Sequence, residues 1–227
     1  MNVKIGLTHF QFQKTLTSII GLPSSFALFT FIHALFLPVI FINRGVVELS
    51  FNLFTNPSLY HLFKVITFVG DGLFAIPTTL YIIYLSKKNN LSLKRELTHF
   101  LFTFAIMGIG IFFLKEYVFT SVPRPISFFN PLPAEWDPKQ FSLTFHKFRS
   151  FPSGHSAAAA VYGFFIMRYF KSISIKTLIF ISVLIVAYSR VFLFQHFVVD
   201  TYFGVFFGIL CVFAANMIKS LIFKKNK

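Results

Sequence analysis

Long apolar runs separated by brief polar breaks occupy almost the whole chain. Six of them, about Ser25 to Ile42, Val65 to Leu85, Leu97 to Val118, Gly154 to Phe170, Ile175 to Phe194 and Phe197 to Phe223, approach the roughly 20 apolar residues that a helix needs to cross a bilayer. The pattern predicts an all-α fold, a bundle of six transmembrane helices forming a single domain over residues 1–227. Linkers, internal repeats and a separate soluble module are not expected. Connections between the runs are short except for Phe119 to Ser153, and the polar residues of most interest lie in or beside that segment.

Composition agrees with the pattern. The chain of 227 residues is 56% hydrophobic and 12% charged, with a mean hydropathy of +0.72, which excludes an ordinary soluble domain. The 36 phenylalanines fit lipid-facing surface and say nothing more about function. A cleavable signal peptide is not expected, because the apolar stretch after Lys4 and Lys14 is too long and lacks a clean small-x-small site. Cys211, the single cysteine, lies in the last apolar run and is expected to be a packed, inert thiol.

Charge orients the bundle. The formal net charge is +14, which points to a topology signal, to anionic lipid or to phosphate chemistry. With the N-terminus in the cytoplasm, 13 of the 21 lysines and arginines fall on inside segments. The positive-inside rule then puts both termini in the cytoplasm. The residual outside charge includes Lys115, Arg124 and Arg190, each near a helix end on the extracytoplasmic side.

Three stretches reach that side: "KEYVFTSVPRP" (Lys115 to Pro125), "PSGH" (Pro152 to His155) and "SRVFLFQHFVVD" (Ser189 to Asp200). Polar and charged groups at membrane depth are expensive and mark functional sites or wet cavities, and an anion is the expected occupant. His196 and Asp200 are four apart, so on a helix the carboxylate accepts from one ring nitrogen and leaves the other free as a nucleophile. Equally, such a pair can simply stitch two helices. Ser153 and Gly154 read as a helix start whose N–H groups suit a phosphate oxygen, with His155 in the first turn placed as a proton donor. Arg124 between two prolines presents a stiffly held guanidinium, and Lys115 is either a third cation of the site or a snorkelling anchor.

Taken together, the ordered motifs resemble the type 2 phosphatidic acid phosphatase superfamily, which shares a helical core with vanadium haloperoxidases and bacterial acid phosphatases. The second and third motifs match fully. The first departs, with eight residues (Glu116 to Pro123) between Lys115 and Arg124 where the family commonly has six, so the extra residues must bulge or wind a partial turn. The resemblance implies a haloperoxidase-like catalytic core in which His196 attacks phosphorus, Asp200 orients it and His155 protonates the leaving group. It implies that Lys115, Arg124, Ser153, Gly154 and Arg190 hold the phosphate oxygens, with no metal and no cofactor.

These readings lead to an integral membrane lipid phosphatase of a bacterial-type inner membrane, acting on the extracytoplasmic side. Its partners would be the bilayer and a lipid phosphate, with no nucleic acid. Phosphatidate, phosphatidylglycerol phosphate, undecaprenyl diphosphate and lipid A phosphate are the candidate substrates. A lipid phosphotransferase using the same site and a non-catalytic lipid-binding or transport protein are the alternatives. Asp71, between two glycines, is either a contact for the substrate headgroup or Arg190, or an ordinary helix-entry turn. The segment Phe128 to Phe141 around Trp136 is expected to anchor at the interface, and His9, His33, His61, His99 and His146 show no ligand spacing.

Overall fold

The computed structural model describes residues 24–41, 45, 57–129 and 146–224. The Trp136 segment, His9, Lys4, Lys14, Arg44, Lys139, Lys225 and Lys227 lie outside them. The regular structure of the described residues is all helical: α1 (Ser24–Leu35), α2 (Pro57–Thr67), α3 (Ala75–Lys88), α4 (Leu93–Phe113), α5 (Gly154–Met167), α6 (Ile173–Phe192) and α7 (Val198–Lys224). Short 3-10 segments cover Leu37–Phe41, Phe68–Gly70 and Gly72–Phe74, a π turn runs on from α4 over Leu114–Val118, and Pro125–Phe128 forms a single turn.

Length and composition qualify three of these helices to cross a membrane, Leu93–Val118, Ile173–Phe192 and Val198–Lys219. This is an integral membrane protein. Six crossings are expected from the sequence; among the described residues these three qualify, or four if the bent pair Ser58–Gly70 and Gly72–Lys88 is one span, while Ser24–Leu35 and Gly154–Met167 are apolar but shorter. The run expected as one helix over Val65 to Leu85 is instead divided, with Ser58–Gly70 and Gly72–Lys88 meeting at 60°. Asp71 is the cause: its backbone is extended (ψ 150°) and its side chain accepts the Leu73 N–H, starting a new turn rather than continuing the old one. Large apolar side chains such as Phe31, Val65, Ile109 and Leu178 face outward, as expected where the solvent is hydrocarbon.

α5 is the central helix, enclosed mainly by α7 and α6, and every residue from Ser156 to Phe165 is buried. Its alanine run lets α7 come close. A Cβ on Gly204 would stand 2.5 Å from the Ser153 carbonyl oxygen, and one on Gly208 would stand 2.4 Å from that of Ala157. The two glycines, one turn apart, therefore form a seam in which backbone meets backbone, the arrangement that small residues permit between membrane helices. Gly163 makes room on the side of α6, where a Cβ would meet the Val183 side chain at 2.5 Å. Phe164 packs edge-on against Phe26 of α1 at 5.1 Å, and Phe165 against Phe100 of α4 at 5.2 Å.

Candidate active site

The spacing from Arg190 to His196 is set by how α6 ends. Phe194 takes a left-handed conformation (φ 57°), the Gln195 N–H donates to the Arg190 carbonyl at 3.0 Å and the Phe194 N–H to that of Val191 at 2.9 Å. This is a Schellman closure. Its Arg190 carbonyl also accepts the His196 N–H at 3.2 Å, so the arginine and the histidine are tied through one oxygen. A left-handed phenylalanine costs about 1–2 kcal/mol, and the buried Phe194 ring, stacked on Phe129 at 5.5 Å, helps to offset it.

His196 is not on the helix that carries Asp200, contrary to the sequence expectation. It sits in the turn before α7, whose first turn contains Asp200. The pair still meets, with Nδ1 of His196 3.5 Å from Oδ2 of Asp200. The same oxygen accepts the Ser150 hydroxyl and, at 3.0 Å, the Phe197 N–H. Reaching back to an N–H just ahead of the helix is the carboxylate half of a capping box, and the positive helix end favours the charge. His196 and Asp200 are 2% and 0% exposed at their side chains. Burial first, and then the positive charges of Lys115, Arg124 and Arg190, hold the His196 imidazole well below the usual histidine range. Both effects favour the uncharged ring.

On the facing element, Ser153 caps α5 by accepting the Ser156 N–H at 3.4 Å, and its own N–H donates to the Asp200 carbonyl at 2.9 Å. The start of α5 is thereby hydrogen-bonded to the start of α7. Gly154 has no tight neighbour, since an added Cβ would meet Ile111 at an ordinary 3.4 Å; protein packing does not require a glycine there. His155 points Nε2 toward Oδ2 of Asp71 at 3.8 Å. At Gly70 a Cβ would lie 2.7 Å from the His155 carbonyl oxygen, so the break between α2 and α3 presses directly on this histidine. The Tyr162 hydroxyl donates to the Asp71 carbonyl at 3.1 Å and fixes the loop from the other side.

The three cations are held by neutral acceptors. Arg190 donates to the Thr67 hydroxyl at 2.8 Å, while its Nε is buried with no partner among the described residues. Arg124 donates from Nε to the Phe148 carbonyl at 3.1 Å and from Nη1 to both oxygens of Gln195 at 3.3 Å. Lys115 donates to the Arg149 carbonyl at 3.1 Å from within the π turn. A π turn takes in one more residue than an α turn, which accounts for part of the longer spacing between Lys115 and Arg124.

All eight residues expected at the site thus converge on one end of the bundle, and Asp71 joins them beside His155 and within electrostatic reach of Arg190. Sequence reasoning missed Ser150, Gln195 and Thr67, neutral side chains whose only signal is adjacency to a motif. Among the described residues no three His, Cys, Asp or Glu side chains are grouped to hold a metal ion.

Two solved structures share this architecture. LpxE from Aquifex aeolicus aligns with a TM-score of 0.60 at 19% identity, covering 76% of this chain and 93% of its own. The PAP2-type phosphatidylglycerolphosphate phosphatase from Bacillus subtilis aligns with a TM-score of 0.58 at 24% identity, covering 87% and 96%. Among curated proteins, no sequence match was found. The family model of the PAP2 superfamily matches residues 96–223, from the buried start of α4 through the last helix. That span contains every site residue described above except Asp71 and Thr67, and it places this membrane protein in the PAP2 superfamily.

Proposed function

We propose that the protein is a lipid phosphatase that cleaves a phosphate or diphosphate monoester through a phosphohistidine. The observation that carries this reading is the buried His196 with Asp200 behind it and the charges of Lys115, Arg124 and Arg190 acting on it. Nδ1 is turned to the carboxylate, which leaves Nε2 to attack phosphorus. As the N–P bond forms, the P–O bond to the lipid or phosphate leaving group breaks, and His155 delivers the proton that this oxygen needs. Water then attacks the phosphohistidine, giving its proton to His155, and inorganic phosphate leaves. The cations and the start of α5 hold the non-bridging oxygens, the electrostatic work that phosphoryl transfer mainly demands. At Gly154, where the protein itself leaves room, a phosphate oxygen can approach the backbone.

The fold likeness to LpxE and to a phosphatidylglycerolphosphate phosphatase supports a lipid phosphate as substrate. The basic residues Lys87, Lys88, Lys94, Arg95, Arg168, Lys171, Lys176 and Lys219 gather at the opposite end of the bundle. By the positive-inside rule that end faces the cytoplasm, and the site opens toward the extracytoplasmic face of a bacterial-type inner membrane. The test is release of inorganic phosphate from a panel of phosphatidate, phosphatidylglycerol phosphate, undecaprenyl diphosphate and lipid A phosphate by the wild-type protein and by His196→Ala. Loss of at least about 10⁴-fold in the variant is expected, with inhibition by vanadate and no effect of a chelator. Equal release by both proteins, or a strict need for a divalent metal, would overturn the reading.

A further inference from the structure

The end of the bundle away from His196 contains a second charged construction. Glu96, 3% exposed, is the only acidic side chain described there. It accepts from Arg168 and, at 3.0 Å, from the Tyr169 hydroxyl, and Lys219 stands 3.6 Å away. His99 takes the other side of the same cations, its Nδ1 at 2.8 Å from Arg168 and 3.3 Å from Lys219. This network joins α4, α5 and α7 below a cavity of about 620 Å³. Ser92, Lys94, Arg95, His99, Phe102 and Lys219 are among the residues that line it.

Two properties of the cavity specify its occupant. One carboxylate cannot neutralise four cations, and Arg168 and Lys219 already share it, so Lys94 and the exposed Arg95, 3.7 Å from Glu96, leave positive charge at the mouth. Ser92 precedes α4 yet makes no capping bond with its hydroxyl, leaving a donor beside those cations. Deeper in, Phe102, Ala215 and Ile218 make the wall apolar. A free phosphate would use the first half of this surface and waste the second. We propose that the cavity between α4 and α7 binds one anionic phospholipid of the leaflet opposite the catalytic site, its phosphate on Lys94 and Arg95 and an acyl chain along Phe102 and Ile218.

Native mass spectrometry of the full chain in detergent tests this with phosphatidylglycerol, a diester and so no substrate for monoester cleavage. One retained copy is expected, and none of phosphatidylcholine. Each cation near a membrane surface adds about 1 kcal/mol, so Lys94→Gln with Arg95→Gln should weaken retention about 20-fold or more. Ile218→Trp, which fills the cavity and touches no charge, should weaken it as well. Lys87→Gln with Lys88→Gln removes the same charge from the same end outside the cavity and should leave retention intact, as should His196→Ala with Arg190→Gln at the catalytic site. Equal loss in the Lys87/Lys88 variant would mean diffuse attraction, loss only in the His196/Arg190 variant would put the lipid in the other site, and full competition by glycerol phosphate would mean a headgroup pocket. Any of these, or equal retention of phosphatidylcholine, sinks the proposal independently of whether the protein proves to be a phosphatase.

Discussion

Arg168 at one end of the bundle and Arg124 and Arg190 at the other are held in opposite ways. At one end Arg168 is locked onto a buried carboxylate, Glu96, and neighbours Tyr169 and Phe165, the latter ring 4.2 Å from its guanidinium carbon. At the other, Arg124 and Arg190 are positioned by carbonyls, an amide and a hydroxyl, and no carboxylate of the described residues lies within ion-pair distance of either. A charge that a carboxylate already neutralises serves structure. A charge held by neutral dipoles is oriented but unspent, and remains available to an incoming anion. The difference separates Arg168, a fastening, from Arg124 and Arg190, the proposed receptor for an anion.

Substitutions can break this contrast, beginning with the support of the proposed nucleophile. Asp200→Asn removes the charge behind His196 while keeping a side chain of similar shape, and should lower kcat about 10⁴-fold, the loss typical of a triad carboxylate amide. Arg168→Gln leaves Glu96 buried without its main partner and should destabilise the fold by about 3–5 kcal/mol, read as a lower melting temperature in detergent, with kcat of the surviving protein little changed. Arg190→Gln should reverse that outcome, with a melting temperature near wild type and kcat reduced about 10²–10³-fold, as when one preorganised donor is removed. If both arginine variants lost activity and stability alike, the distinction between the ends would fail. The smallest effect is on pH dependence. Because burial and cations keep His196 neutral, the acid limb of kcat/KM, corrected for substrate ionisation, should lie below the ordinary histidine value of about 6.5.

Much of this was readable beforehand, for a physical reason. Apolar runs report burial in hydrocarbon directly, so α4, α6 and α7 appear close to their expected limits, and His155, His196 and Asp200 declare themselves by being costly at membrane depth. Hydropathy is blind to the direction of a backbone. Nothing in an apolar average signals that Asp71 turns the chain by 60° and delivers itself to His155. Neutral supports are equally silent: Thr67, Ser150 and Gln195 do their work through contacts 123, 50 and 71 residues away in sequence. His99, given no role from spacing, stands between Arg168 and Lys219, partners 69 and 120 positions distant. Such contacts exist only once the helices are stacked.

The contact between Gly204, Gly208 and the carbonyls of Ser153 and Ala157 also has a bearing on how a protein of this kind could diversify. Main-chain atoms cannot be shortened or swapped by substitution, so the gap separating the serine that starts one central rod from the aspartate that starts the other is fixed like the gauge of a track. The break between α2 and α3 is bound by the same rule, through Gly70 and the His155 carbonyl. Elements that meet the two central rods through side chains alone are free to change, while the proposed reacting centre keeps its dimensions.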